Sequence, residues 1–404
     1  MEHNPMILLR DVGKLTLIAV PLLAAATFSS CSQDEDVVAV DQQAGRLAFN
    51  ATVDNGWSET TRGQRANSLE ESFGLFGYNY LGFWNEGAGK TANWLCDAEV
   101  SVSSDGWTTT SLVSTENTDD NFQFFGYYPY LHEEFTAEEE TKYLEGMPYT
   151  VVKEEETTTI TLKVGNPVFN FVTSDNAVDQ VDFLVGASLE RAKATLLSTP
   201  IEMKFKHALA GVVFMVGSFT EPMVINKIEL TNVNKKGRLQ VAPPTGAGET
   251  LTEKFANWSS NANSLVWSNL GTTGTVYVEP SYKIRGDNSD FGRTINDGDL
   301  VMFLIPQDLP SDAMIRMTVN DDLVLTKQIN PTGTTPLQRG KITKFKLSVT
   351  SLQQLRIETQ ITDWGEGMSF SGAGNDGNSI LSTAIINDWG VGDTTNLTNV
   401  PPGQ

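Results

Sequence analysis

Apolar and polar residues alternate along much of this chain. Leu47, Phe49, Ala51 and Val53 share one side of a strand, with Ala48, Asn50 and Thr52 between them. The same period of two recurs at Ile160/Leu162/Val164, at Phe345/Leu347/Val349 and at Leu355/Ile357/Thr359/Ile361. In the last run Arg356, Glu358 and Gln360 take the opposite side. This period, rich in β-branched residues, predicts half-buried strands. The turn-forming pairs Asp105-Gly106, Lys236-Gly237, Asp297-Gly298 and Arg339-Gly340 separate the runs. Short strands punctuated by turns predict an all-β chain of antiparallel sandwiches rather than a parallel α/β sheet. The acidic segment 133–143 predicts a short helix or a decorated loop.

Two β-sandwich domains are expected, over residues 46–200 and 201–371, with residues 188–199 as the connection. Residues 372–378 (GAGNDGN) have the composition of a flexible linker. The tail they open, 372–404, holds an internal repeat. Ile386-Asn387-Asp388-Trp389-Gly390-Val391-Gly392 echoes Ile361-Thr362-Asp363-Trp364-Gly365-Glu366-Gly367. Ile380, Ala384 and Ile386 would form one further strand.

The N-terminus reads as an export signal over residues 1–30. Arg10 and Lys14 flank an apolar run at 15–26 that is too short to span a bilayer permanently. Phe28-Ser29-Ser30-Cys31 resembles a bacterial lipobox, with Phe28 where leucine is usual. Met6 is an alternative start. The lipobox predicts a lipoprotein acylated (palmitate) at Cys31 and anchored to the cell outer membrane; an ordinary secretory signal is the other reading. Residues 31–45 form an acidic linker. Its Ser32-Gln33-Asp34-Glu35-Asp36 is similar to tags that send Gram-negative lipoproteins to the outer face, and is equally a solvated run.

The formal net charge is −22, and the leader's Glu2, Arg10, Asp11 and Lys14 sum to zero, so residues 31–404 carry all of it. An acidic surface of this size argues against nucleic acid and anionic lipid as partners. With Cys31 acylated, Cys96 is the remaining cysteine, so stability must come from burial and Cys96 is expected in a core.

Catalytic and metal-binding patterns are weak. His132-Glu133-Glu134-Phe135-Thr136 lacks the second histidine of a zinc motif, and His207 sits in an alternating run as a structural, hydrogen-bonded residue. The glutamate runs 138–140 and 154–156 do not by themselves set two carboxyls across a cleft. Asn296-Asp297-Gly298-Asp299, Asn320-Asp321-Asp322 and Asn375-Asp376-Gly377 offer oxygen ligands without the spacing of an EF-hand, and read as turns. No cofactor or metal is expected, and no enzyme. Trp57, Trp84, Trp94, Trp107, Trp258 and Trp267 lie near turn-rich segments; core packing is the expectation, a sugar-stacking platform the alternative.

Several stretches together resemble the fimbrillin family, the type V pilins of Gram-negative surface lipoproteins. Arg46–Val53, Thr60-Thr61-Arg62-Gly63 and Ser72-Phe73-Gly74-Leu75-Phe76-Gly77-Tyr78 are similar to its first strand, arginine loop and second strand. Phe124-Phe125-Gly126-Tyr127-Tyr128-Pro129 and Asp182-Phe183-Leu184-Val185-Gly186 resemble later segments. Met203 to Val212 (MKFKHALAGV) is the best match, and Leu304-Ile305-Pro306-Gln307, residues 340–349 and Asp363-Trp364-Gly365 complete the series. The resemblance covers residues 46–371 and implies two transthyretin-like sandwiches on a lipidated N-terminus.

For function, the resemblance implies a subunit of a surface pilus, or fimbrium, that polymerises with like or unlike pilin subunits by donor-strand exchange and supports cell adhesion. An arginine-specific protease would cut the loop 55–68 at Arg62, or secondarily Arg65, and release the strand bearing Leu47, Phe49, Ala51 and Val53. The donor would come from Leu355, Ile357 and Ile361 with Trp364 as anchor, or from Ile380, Ala384 and Ile386 in the tail. The alternative is a lipid-anchored surface monomer that binds a host protein or a glycan.

Overall fold

The structure is a computed structural model. It describes residues 45–53, 69–82, 84, 89–104, 106–131, 144–146, 148–154, 157–244, 253–255, 258, 264–269, 271–295, 300–329, 335–350 and 353–363. The chain is built from strands, as alternation predicts. In the first half these are β1 (Ala48–Val53), β2 (Phe73–Tyr80), β3 (Leu95–Ser103), β4 (Gly106–Thr109), β5 (Asn121–Tyr128), β6 (Leu144–Gly146), β7 (Tyr149–Glu154), β8 (Thr157–Leu162), β9 (Val168–Val172), β10 (Leu184–Ser188) and β11 (Arg191–Ala192). There follow β12 (Ile201–His207), β13 (Ala210–Phe219), β14 (Met223–Asn234), β15 (Lys236–Val241), β16 (Leu265–Asn269), β17 (Thr273–Val278) and β18 (Tyr282–Ile284). The last are β19 (Met302–Leu304), β20 (Gln307–Asp308), β21 (Met314–Val319), β22 (Leu323–Gln328), β23 (Pro336–Leu337), β24 (Lys341–Val349) and β25 (Leu355–Asp363).

The first sheet runs β10-β12-β1-β4-β3-β2-β5 and closes on itself, because β5 also pairs with β10. β11 continues along β5 where β10 leaves off. Leu47, Phe49, Phe73, Leu75, Val100, Phe122, Phe124, Ile201, Met203 and Phe205 fill the ring. The alternate residues of β2 and β5 (Phe76, Tyr78, Phe125, Tyr127) face outward into a second core, under the sheet β16-β15-β9-β6. Both strands are therefore buried on two faces, which is why FGLFGYNY and NFQFFGYY read as nearly continuous apolar runs.

The second core also links the two halves. β9 pairs with β15 over five register pairs, so one sheet takes strands from both. β13 lies in the sheet β19-β13-β24-β25 and is two-sided like β2: Val213 and Met215 enter the second core. Val212, Phe214 and Val216 enter a third core, closed by the sheet β17-β14-β21-β22.

Three sequence expectations differ in detail. Among the described strands pairing is antiparallel except at β1–β12 and β13–β24, which are parallel. Lys236-Gly237 is not a turn but the start of β15; a Cβ on Gly237 would stand 2.9 Å from Ile305 and from the Trp267 ring, so glycine serves close packing there. Val164 lies beyond β8 and is exposed. The segment 188–199 holds β11 and a 3-10 turn, and sends Leu196 into the ring core. Segment 133–143, as a helix or loop, lies outside the described residues.

Close approach across β2 and β5 leads to a test. A Cβ on Gly74 would stand 2.0 Å from the Tyr127 ring, which is fully buried and fixed by a 2.7 Å hydrogen bond from its hydroxyl to Asp97. Gly74→Ala is expected to destabilise the fold by about 3 kcal/mol; denaturant unfolding of the two proteins checks this.

Candidate functional site

The ring is assembled around β1. Its side chains alternate as the sequence implies: Leu47 and Phe49 are buried in the ring core, with Ala51 and Val53 packed against it. The Phe49 ring meets Phe73 edge-on at 5.8 Å and Phe124 at 6.2 Å. Such contacts add to the burial energy.

Both edges of β1 are used. On one side it runs parallel to β12, from Phe49 opposite Ile201 to Val53 opposite Phe205. On the other it pairs antiparallel with β4 at Ala48–Thr108 and Phe49–Trp107. The backbone is pinned further at its start. Thr109 N–H donates to Leu47 C=O at 3.0 Å, and Leu47 N–H donates to the Thr109 hydroxyl at 3.0 Å. Gly45 and Val113 exchange backbone bonds at 2.9 and 2.7 Å. The Arg46 guanidinium donates to the carbonyls of Thr109, at 2.6 Å, and Thr110. On the outer face Asn50 donates to Glu202 at 2.6 Å.

The floor of the slot is set by Phe205. A Cβ on Gly126 or on Gly186 would stand 3.0 Å from its ring, so two glycines opposed in register make room for one aromatic. Removing β1 would bare this floor and free the edges of β12 and β4. β1 joins the remaining described strands only through residues 54–68.

The other candidates fall elsewhere. Leu355 and Ile357 of β25 lie in the third core, and Ile361 is half-buried at the far end of the strand. β25 is paired with β24 through nine register pairs and is an edge strand among the described strands. Cys31, Arg62, Arg65, Trp364, Ile380, Ala384 and Ile386 lie outside the described residues, as do Trp57, His132, the glutamates 138–140, Glu155, Glu156 and the turns at 296–299 and 375–377.

The chemistry-bearing residues that are described serve packing. His207 Nδ1 lies 3.0 Å from an Asp182 carboxylate oxygen, and both residues are buried at the join of the halves. Cys96 is a free, buried thiol whose pKa burial pushes up, with Asp97 adding to the effect. Asn320 and Asp321 make the turn between β21 and β22, where Asp321 accepts from Asn226 at 2.7 Å. Among the described residues no group of three or more potential ligands could hold a metal ion. Trp84, Trp94 and Trp107 pack on Phe125, Phe122 and Phe73, while the Trp258 and Trp267 indoles donate to the carbonyls of Ala242 and Ala208.

Sequence reading did not find the partners of β1. Its partners in β12 lie 152 positions further along the chain, at the far boundary of the expected first domain, and alternation carries no record of which strand lies beside which. The glycines 126 and 186 were the available signal, since a glycine inside a strand marks a close approach.

A fimbrillin-like family model matches residues 61–364, and the chain belongs to that family. Membership makes it a structural, non-enzymatic protein and a pilus or adhesin subunit of the cell surface. Among solved structures it is similar to a fimbrial protein from Bacteroides vulgatus, at 15% identity, over 79% of this chain and 100% of that one, with a TM-score of 0.44. It is similar to a fimbrial assembly protein from Parabacteroides distasonis at 8% identity, over 80% and 99% of the two chains, with a TM-score of 0.36. For the tip fimbrial protein Mfa3 from Porphyromonas gingivalis, with C-terminal truncation, the values are 12% identity, 80% and 100% coverage and a TM-score of 0.31. No curated protein matches the sequence.

The buried face of β1 gives a second test. Leu47→Asp and Phe49→Asp each put a carboxylate into the ring core and are each expected to destabilise the uncut chain by about 3 kcal/mol or more. Thermal unfolding measures it; an unchanged midpoint would mean that β1 is not internal.

Proposed function

We propose that this chain is a lipid-delivered fimbrial subunit whose first strand is a removable plug. Cys31 carries the anchor to the outer membrane, and an arginine-specific protease cuts after Arg62 or Arg65. β1 then leaves with the N-terminal segment, and a strand from another subunit enters the slot between β12 and β4. Main-chain bonds to the bared edges supply affinity, and the alternating apolar face supplies register.

The observation that supports this reading is topological. β1 fills a closed ring, yet it is tied to the remaining described strands by a single stretch of chain, 54–68, which holds both arginines. One cut there turns an internal strand into a separable one.

For the donor, the tail with Ile380, Ala384 and Ile386 is favoured over β25. Using β25 would break nine register pairs and expose Leu355 and Ile357. The tail follows a glycine-rich linker and can leave without that loss.

The test is a gel assay on the chain from Ser32 onward, before and after limited digestion with an arginine-specific protease. The expected result is a ladder of detergent-resistant oligomers with new N-termini at Gly63 or Ala66. Arg62→Ala with Arg65→Ala should abolish the ladder and leave the unfolding midpoint unchanged. Clean cleavage without a ladder would favour the anchored adhesin that binds a host protein or glycan; a normal ladder from the double variant would reject this loop as the trigger.

A further inference from the structure

The sheet β16-β15-β9-β6 has two unlike faces. Phe169, Phe171, Leu239, Val241 and Leu265 look into the second core. Alternation turns their neighbours to the other side. There Arg238 stands opposite Asn170 on one flank and Ser268 on the other, and Gln240 follows along β15. Arg238, Gln240 and Ser268 are exposed, so this face is open to solvent.

Two cations stand there without an acid. Arg238 Nε donates to Asn170 at 3.4 Å, which leaves the outer nitrogens without a partner among the described residues. Lys163, just beyond β8, lies near it: desolvation, and then the Arg238 guanidinium, lower its pKa. Neither cation is ion-paired among the described residues, and no register pair of β9, β15 and β16 sets an acid on this face. That runs against the trend of a chain with 50 acidic and 28 basic residues. The outer face of the sheet β17-β14-β21-β22 follows the trend: Lys227 and Arg316 reach Glu229 at 3.4 and 3.7 Å. Two like charges side by side repel, and an anion between them removes that cost.

We propose that this face binds an anionic polysaccharide, with Lys163 and Arg238 sharing one carboxylate or sulfate and Asn170, Gln240 and Ser268 meeting sugar hydroxyls. The guanidinium fork suits either anion. The neutral side chains each donate and accept, as hydroxyls require. Their rows are about 4.8 Å apart, on strands held by the core beneath. An acidic protein is the lesser fit. Protein interfaces centre on aromatic anchors in packed pockets, and the register places no aromatic residue on this face. The net charge of −22 opposes a polyanion only at a distance. In about 0.15 M salt the screening length is about 8 Å, so the local face decides the contact. The assignment is independent of cutting and strand exchange, and a failed polymer ladder leaves it standing.

The test is calorimetric titration of the intact chain from Ser32 onward, in about 0.15 M salt. The probe is chondroitin sulfate, a sulfated and carboxylated polysaccharide; neutral dextran and poly-glutamate are the comparison ligands. Chondroitin sulfate should bind, and the other two should bind at least tenfold more weakly. Hyaluronate carries carboxylates alone: if it binds as well, the carboxylate is the anion held, and if it does not, the sulfate is. Lys163→Gln with Arg238→Gln should weaken binding at least tenfold and leave the unfolding midpoint unchanged. Lys227→Gln with Arg316→Gln removes the same charge from the other sheet and should leave binding within twofold. Equal loss in the two double variants, equal binding of poly-glutamate, or no binding of either anionic polysaccharide overturns the proposal.

Discussion

Burial of β2, β5 and β13 on both faces is the constraint on which this molecule depends. Each strand sends alternate side chains into different cores, so the three cores share walls. A ring with one filled side could hold β1 only loosely. Here the second core presses β2 and β5 from outside, and the aromatic floor under β1 cannot spread. The Phe205 ring lies close over Gly126 and Gly186 in that floor. Dense packing of this kind makes the slot a shaped site rather than a greasy patch.

Much of the strand content could be read from alternation, because half-buried strands advertise their faces. β1, β24 and β25 follow from it, and Leu47, Phe49, Phe345, Leu347, Val349, Leu355 and Ile357 lie in cores, while Ile361 is half-buried. The doubly buried strands are harder, since a run such as FGLFGYNY has no polar side to set a period. Pairing partners were not legible at all. β1 lies between β12 and β4, and only three-dimensional closure brings them together. Lys236-Gly237 misled for a definite reason: glycine marks both turns and tight contacts, and here the contact with Trp267 decided its place.

At the site, the residues that pack were legible and the residues that clamp were not. Leu47 and Phe49 followed from the pattern. Arg46 and Thr109, which fix the start of β1 through polar bonds, have no periodic signature. His207 was read as a structural residue, and its contact with Asp182 is of that kind.

The pairing of β1 with β12 also bears on how the chain comes to be folded. Asn50 bonds to Glu202 across 152 positions of sequence. β9 must likewise wait for β15. The first half is therefore not a folding unit in its own right: a nascent chain that stops at Pro200 has β1 but not the strand that runs beside it. Contacts so distant in sequence form late and slowly. For that interval the facing edges of β1 and β10 stay unsatisfied, and the polypeptide remains pliant until the second half arrives to close the ring.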